Sequence, residues 1–381
     1  MKSFPIIIIV LWCGIAAPAN STPSITENQQ QRPKAPELVE FDAPNAAATP
    51  GFGTFAFGNN GQGGIVGYYV DAAVVPHAFM RTPGGRFVSI DAPGAGLGAG
   101  LDQGTVAYAI NDFDVIVGQY EDDNNVFHGF RRFPDGSFDR FEAPGAGTGA
   151  NLGTLAWDIN LEGSVAGIYF DEAGVQHGFT RSPFGRVVSF DPAESVATMV
   201  CEETCLNIEG SITGAYLDGS DVFHGFVRAP DGKITAFDGP GAGTAQFVGT
   251  IGASINDEGT ITGYAVDDNS VAHGFVRSRD GTFQSFDVPG ASTAAGGGTA
   301  AFSINAAGDV TGEFLDINGA MHGFERFHDG RIMKFNAPAG GGGSGQGTRP
   351  STNNVQATVT GWYIDATNVS HGFLWKPNLG D

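Results

Sequence analysis

Seven histidines in this chain each follow an aspartate by six residues: Asp71 and His77, Asp122 and His128, Asp171 and His177, Asp218 and His224, Asp267 and His273, Asp316 and His322, Asp365 and His371. A carboxylate beside an imidazole can fix its tautomer and favour its protonated form, which invites a catalytic or metal-binding reading. An active site needs one such constellation, however, not seven copies at one spacing. The repetition reads instead as a structural Asp-His clasp across the tip of a hairpin, and no metal is assigned to it.

Residues that break the repeat are better candidates for chemistry. Each copy opens with a strand-like segment whose second and fourth positions, counted from a repeated Thr, are mostly small: Ala56 and Gly58, Ala107 and Ala109, Ala301 and Ser303. If these positions face a common axis, Asp158 in the third copy and Glu203 with Cys205 in the fourth put two carboxylates and a thiol into one sector of a small, neutral channel. Such a cluster could bind a cation or act as acid and base. The bland alternative is an eroded repeat with solvated acids.

Cys201 and Cys205 are the cysteines left once the N-terminal segment with Cys13 is set aside. In an extended strand, four residues span about 13 Å, well beyond the roughly 7 Å limit for bridged Cα atoms. The fourth copy has Val200-Cys201 in place of the usual Gly-Thr start. The expectation is therefore a strand that begins late, near Thr204, after a tight turn closed by a Cys201–Cys205 disulfide, with Glu203 on that turn.

The elements that position these residues follow from the full motif, which runs Asn, six residues, Gly, three residues, Asp, five residues, His, Gly or Ala, Phe. The copies begin at Asn60, Asn111, Asn160, Asn207, Asn256, Asn305 and Asn354, about 49 residues apart, a period in the range of propeller blades and solenoid units. Each copy holds four short strand-like segments. Asn-x-x-Gly separates the first two and Pro-Asp-Gly or a variant the last two, both turn signals with a mechanism. A fourth-strand signature, Phe41-Asp42-Ala43-Pro44, precedes any His-Gly-Phe, and the last copy stops at Trp375-Lys376-Pro377 without one. The reading is an all-β, seven-bladed β-propeller of four-stranded antiparallel blades, closed by an N-terminal strand that completes the last blade.

The recurring His-Gly-Phe-x-Arg, with His77-Ala78-Phe79 in the first copy, resembles the bacterial extracellular repeats called the HAF family. That resemblance covers nearly the whole mature chain. It implies export and a repeat fold, and it carries no activity or catalytic residue with it.

The chain ends and composition bound the rest. Residues 1–19, with Lys2, an apolar run from Phe4 to Ile15 and Ala17-Pro18-Ala19, have the form of a signal peptide. Residues 20–37 read as a flexible leader and 38–381 as the propeller. The apolar run is shorter than the roughly 20 residues a membrane span needs. A net charge of -22 excludes nucleic acid, which requires clustered Lys and Arg. Asp122-Asp123-Asn124-Asn125 and Asp267-Asp268-Asn269 offer oxygen ligands of the kind calcium takes, yet none has the spacing of a calcium loop, and no other cofactor is called for. The leading expectation is a secreted binding or scaffold module for a glycan, a surface polymer or an exported protein. Aromatics after the second-strand Gly, such as Tyr68, Tyr264 and Trp362, could stack on sugars or pack between blades. The alternative is an exported lyase or hydrolase with its site near Asp158 and Glu203.

Overall fold

In the computed structural model, which describes residues 36–98, 103–200 and 204–378, every regular element is a β-strand and no helix occurs among the described residues. The signal segment 1–19 and residues 20–35 of the leader lie outside them. The first repeat is an antiparallel meander of Thr54–Asn59, Ile65–Val70, Pro76–Arg81 and Phe87–Ile90. The third repeats it with Gly153–Ile159, Val165–Phe170, Gln176–Arg181 and Val187–Phe190. The last repeat has Gly347–Asn353, Val359–Ile364 and Ser370–Lys376, and Glu37–Phe41 pairs antiparallel with the last of these, from Glu37 opposite Lys376 to Phe41 opposite Gly372.

Packing explains the His-Gly-Phe. The Phe of each copy, Phe179 and Phe373 for example, is fully buried, and each such ring stabilises the core by roughly 1.5–3 kcal/mol. The Gly before it lies opposite a fourth-strand Phe: a Cβ at Gly178 would come within 2.7 Å of the Phe190 ring, and one at Gly372 within 2.2 Å of the Phe41 ring. Ala78, the exception, faces the smaller Ile90. The Arg that ends the motif reaches across the seam to the preceding fourth strand. Arg81 lies 4.7 Å over Phe41, Arg181 4.6 Å over Phe141 and Arg228 4.9 Å over Phe190, a cation–π contact in each case.

Close approach between repeats explains the Gly-Thr start. Gly153 has φ +121 and a Cβ there would fall 2.1 Å from the Phe127 carbonyl oxygen, while at Gly53, φ +130, it would fall 1.9 Å from that of Ser370. Only glycine tolerates both the conformation and the contact. The Thr that follows accepts the N–H of a residue just beyond the preceding fourth strand: Thr54 from Ala43, 2.9 Å, and Thr154 from Ala143, 2.9 Å.

A β-bulge interrupts most first strands, between Ala56 and Gly58, Ala107 and Ala109, and Ala156 and Asp158. The extra residue breaks the period of two, which corrects the expectation that second and fourth positions face the axis together. Ala107 sits in a seam cluster with Val66, Ala78 and Ile116, whereas Gly58, Ala109 and Asp158 line a central cavity.

The fourth repeat also differs from expectation. Its first strand is Ala197–Val200, with Thr198 opposite Tyr216 as Thr54 is opposite Tyr69. The strand thus begins early, not near Thr204, and Val200 rather than Glu203 holds the second position. Pairing resumes where Cys205 accepts the Thr213 N–H at 3.0 Å and Leu206 bridges to Ile212. Four residues separate Val200 from Cys205, where the corresponding positions in most other repeats are separated by one. Without Gly before Thr198, the insertion was displaced to the wrong side of the strand start. Cys201 and Glu203 lie outside the described residues, and with them the Cys201–Cys205 pairing and the Asp158–Glu203 pair; Cys205 itself is buried.

Candidate functional site

Each repeated Asn has two roles. Its Oδ1 caps its own turn, as Asn160 accepts the Ser164 N–H at 2.9 Å. Its Nδ2 donates to the main-chain carbonyl of the next Asn: Asn60 to Asn111 at 3.0 Å, Asn111 to Asn160 at 3.1 Å, Asn160 to Asn207 at 2.9 Å, Asn207 to Asn256 at 3.1 Å, Asn256 to Asn305 at 3.2 Å, Asn305 to Asn354 at 3.1 Å, and Asn354 to Asn60 at 3.0 Å. The turn role was legible in Asn-x-x-Gly; the belt was not, because spacing inside one repeat says nothing of what the neighbouring repeat offers.

Beside this belt lies a cavity of about 210 Å³ whose lining draws on every repeat, including Gly58, Tyr108, Asp158, Thr204, Asp257 and Thr352. Among the described residues no Lys, Arg or His lines it. Asp158, only 4% exposed, bonds through Oδ1 to its neighbour's N–H, that of Ile159, at 2.7 Å and through Oδ2 to the Leu206 N–H at 2.8 Å. Burial pushes its pKa up to about 6, against the pull of the Leu206 and Ile159 amides. It pegs the third repeat to the fourth, and it could hold or release a proton near neutral pH.

The turns around the belt expose apolar side chains: Phe113 at 65% and, directly after the repeated Asn, Val355 at 58%, Leu161 at 41% and Ile208 at 39%. Interleaved with them are the exposed acids Asp112, Glu162, Glu209, Asp257 and Glu258. Asp112 accepts the Gly61 N–H at 2.7 Å and Asp257 that of Ile208 at 2.8 Å, each reaching back to the preceding turn.

At the opposite ends of the strands stand the Asp-His pairs. Nε2 of His77, His128, His177 and His322 lies 3.5 Å from Asp71, Asp122, Asp171 and Asp316; for His224 with Asp218 and His371 with Asp365 the distance is 3.6 Å, and for His273 with Asp267 it is 3.9 Å. A closer partner meets Nδ1 from the end of the fourth strand: Asp91 at 2.6 Å, Glu142 at 2.5 Å, Asp191 at 2.7 Å, Asp238 at 2.8 Å, Asp287 and Asn336 at 3.0 Å, and Asp42 at 2.9 Å for His371. That partner was present in the sequence as Phe-Asp-x-Pro and was missed. Most of these rings also stack on an aromatic, His177 on Tyr169 at 4.9 Å. The hydrogen bond that His128 donates to Glu142 is the main cause that raises its pKa. The tip aspartates chiefly cap their own turns; the amides of Val222 and Ser220 hold Asp218 below the usual carboxylate range.

At the position after His-Gly-Phe two seams carry a buried charge, Arg131 between the second and third repeats and Glu325 between the sixth and seventh. Between the sixth and seventh repeats Glu325, fully buried, accepts from Asn353 Nδ2 at 3.0 Å, and Oε2 has no hydrogen-bond partner among the described residues. Asn353 also donates to the Asp309 carbonyl at 2.9 Å, and the Asp309 carboxylate accepts the His328 N–H at 2.8 Å. Met80 with Ile110, and Val276 with Ile304, fill the matching places elsewhere. Burial pushes the Glu325 carboxyl up to about 8. Only comparison across all copies of the third strand would have singled it out.

Among the described residues no group of three or more His, Cys, Asp or Glu is gathered in a way that could hold a metal ion. At the acidic hairpin tips, Asp122 caps Asn124 and Val126, and Asp267 caps Asn269 and Val271. Tyr68 stacks on Phe55 at 4.7 Å, and Trp362 packs edge-on against Phe57 at 5.2 Å across a seam, so these rings serve packing. No helix among the described residues is long and apolar enough to cross a membrane.

No family model and no curated protein matches the chain. Solved structures do. A streptogramin B lyase is similar with a TM-score of 0.52 at 12% identity, over 89% of this chain and 97% of that one. The BP39L lectin from Burkholderia pseudomallei is similar with a TM-score of 0.52 at 10% identity, over 84% and 93%. A puromycin hydrolase reaches a TM-score of 0.52 at 12% identity over 85% of this chain, which spans about half, 52%, of that protein. At such identities the likeness concerns the fold alone, and the fold is a β-propeller.

Proposed function

We propose that the chain is an exported protein of the HAF repeat type whose repeats form a closed seven-bladed propeller, with Glu37–Phe41 as the fourth strand of the last blade. It acts as a binding or scaffold module for a glycan, a surface polymer or another exported protein. One observation carries this reading. The repeated Asn, Asp, His, Gly and Phe are engaged in holding the repeats together, while the turns that carry the Asn belt present the exposed apolar side chains Phe113, Leu161, Ile208 and Val355, the last of which lines the cavity. Exposed apolar groups rimmed by polar ones mark interaction sites. The test is binding of the mature protein to a glycan panel and to cell-surface extract. Phe113→Ser with Val355→Ser should weaken capture at least 10-fold at unchanged melting temperature; undiminished capture would refute the assignment.

A lyase or hydrolase is the second reading, favoured by the raised pKa of Asp158 at the cavity wall. Against it, both carboxylate oxygens already accept main-chain N–H groups. Turnover of any captured ligand that Asp158→Asn abolishes would favour it over the binding module.

A further inference from the structure

The cavity has a defined chemistry of its own. Two carboxylates, Asp158 and Asp257, line it, and among the described residues no Lys, Arg or His does; three of their oxygens accept main-chain N–H groups, from Ile159, Leu206 and Ile208. The side chains of Thr204, Thr352, Asn59 and Tyr108 line it as well, the Tyr108 ring lying 5.3 Å from that of Phe57. Thr352 bonds the Phe57 carbonyl at 2.9 Å and Asn59 at 3.0 Å, and Thr204 bonds Ser254 at 2.7 Å, so these groups are held in place. The volume, about 210 Å³, equals roughly seven waters at about 30 Å³ each, below the roughly 300 Å³ of drug-sized pockets. It suits one small ring. Carboxylates with no cationic side chain beside them favour a cation, an aromatic ring favours an ammonium or the C–H face of a sugar, and hydroxyls and amides suit sugar hydroxyls.

We propose that the cavity receives a single amino-sugar residue, its ammonium turned to Asp158 and Asp257 and its ring against Tyr108. The assignment rests on the binding-module reading and narrows it to glycans carrying free amines, such as deacetylated glucosamine polymers. A sugar fits better than a peptide amine because hydroxyl partners and a ring-stacking face are both present.

The experiment is calorimetric titration of the mature protein with a glucosamine tetramer, its fully N-acetylated counterpart, and a lysine-free peptide with a free N-terminus. The amine form should bind at least 10-fold more tightly than the acetylated one, with the margin shrinking in high salt. Asp257→Asn, which leaves Asp158 to peg Leu206, should narrow that margin several-fold, and Tyr108→Leu should weaken both sugars. Equal affinity for the two sugars, an unchanged margin in Asp257→Asn, or tighter binding of the peptide would overturn the proposal. Acetylated glycans that bind and respond to Phe113→Ser would leave the module reading standing without its charge preference; failure of every glycan, polymer and exported protein to bind would remove the module reading itself.

Discussion

Asn354 donates its side-chain amide to the main-chain carbonyl of Asn60 at 3.0 Å, across 294 residues of sequence. The same bond links Asn160 to Asn207, 47 residues on. A single local rule, one amide to the next turn, therefore also joins the two ends of the chain.

Asn160→Ala removes a donor from the buried Asn207 carbonyl and an acceptor from the Ser164 amide. Leaving both unsatisfied should cost about 2–4 kcal/mol. Asn354→Ala should cost about as much, which urea melts can compare directly. A neutral Asn354→Ala beside a costly Asn160→Ala would mean that the belt does not close in solution.

Deletion of residues 38–44 takes away the strand paired with Ser370–Lys376, the Phe41 ring under Arg81 and the Asp42 partner of His371. The loss should exceed about 3 kcal/mol from the aromatic and its neighbours alone, and the exposed edges should promote association. Melting and size-exclusion profiles identical to those of the parent would contradict this.

Asp158 and Glu325, two of the buried acids, set opposite demands to most carboxylates. Asp158 rises from 3.8 to about 6 and Glu325 from 4.5 to about 8, in both cases through burial. A folded pKa above the unfolded one means stability that is whole below about pH 4 and lost as pH climbs through the folded value. At about 1.4 kcal/mol per unit, Asp158 forfeits about 3 kcal/mol by pH 7 and Glu325 about 5 kcal/mol by pH 9. Asp158→Asn should flatten the stability profile between pH 4 and 6. Glu325→Gln, or Glu325→Met after the Met80 of the first repeat, should flatten it between pH 5 and 8 and leave the variant the more stable protein in alkali. Unaltered profiles would show that neither group carries the shift.

For His128 the two neighbouring acids are separable. Nδ1 meets Glu142 at 2.5 Å and Nε2 meets Asp122 at 3.5 Å, and the raised pKa owes most to Glu142. A raised histidine contributes stability below its unfolded value of 6.5 that disappears as pH passes the folded one. Imidazole NMR titration should show Glu142→Gln lowering the midpoint more than Asp122→Asn does. The reverse order would restore the tip aspartate as principal partner.

How much of this was legible beforehand depends on the range of the interaction. Turns, strands and the four-strand unit were readable because Asn-x-x-Gly, Pro-Asp-Gly and alternating apolar residues act through the local backbone. The pairing of Glu37–Phe41 with the last repeat could be expected because Phe-Asp-x-Pro is missing at one end and surplus at the other. The belt of Asn60 to Asn354, the Asp91-type partners of the histidines and the Arg81–Phe41 staple were not readable, since each bonds residues that only the stacking of repeats or the return of a fourth strand brings together. Bulges at Phe57 and its counterparts reversed the faces that strict alternation assigned, and the extra residues between Val200 and Cys205 moved a strand start. Sequence alone thus determined the repeating unit and the chain's acidic character. Tertiary structure decided which carboxylates are buried: the burial of Asp158 and Glu325 depends on how neighbouring repeats close over them, a non-local property that no spacing within the chain encodes.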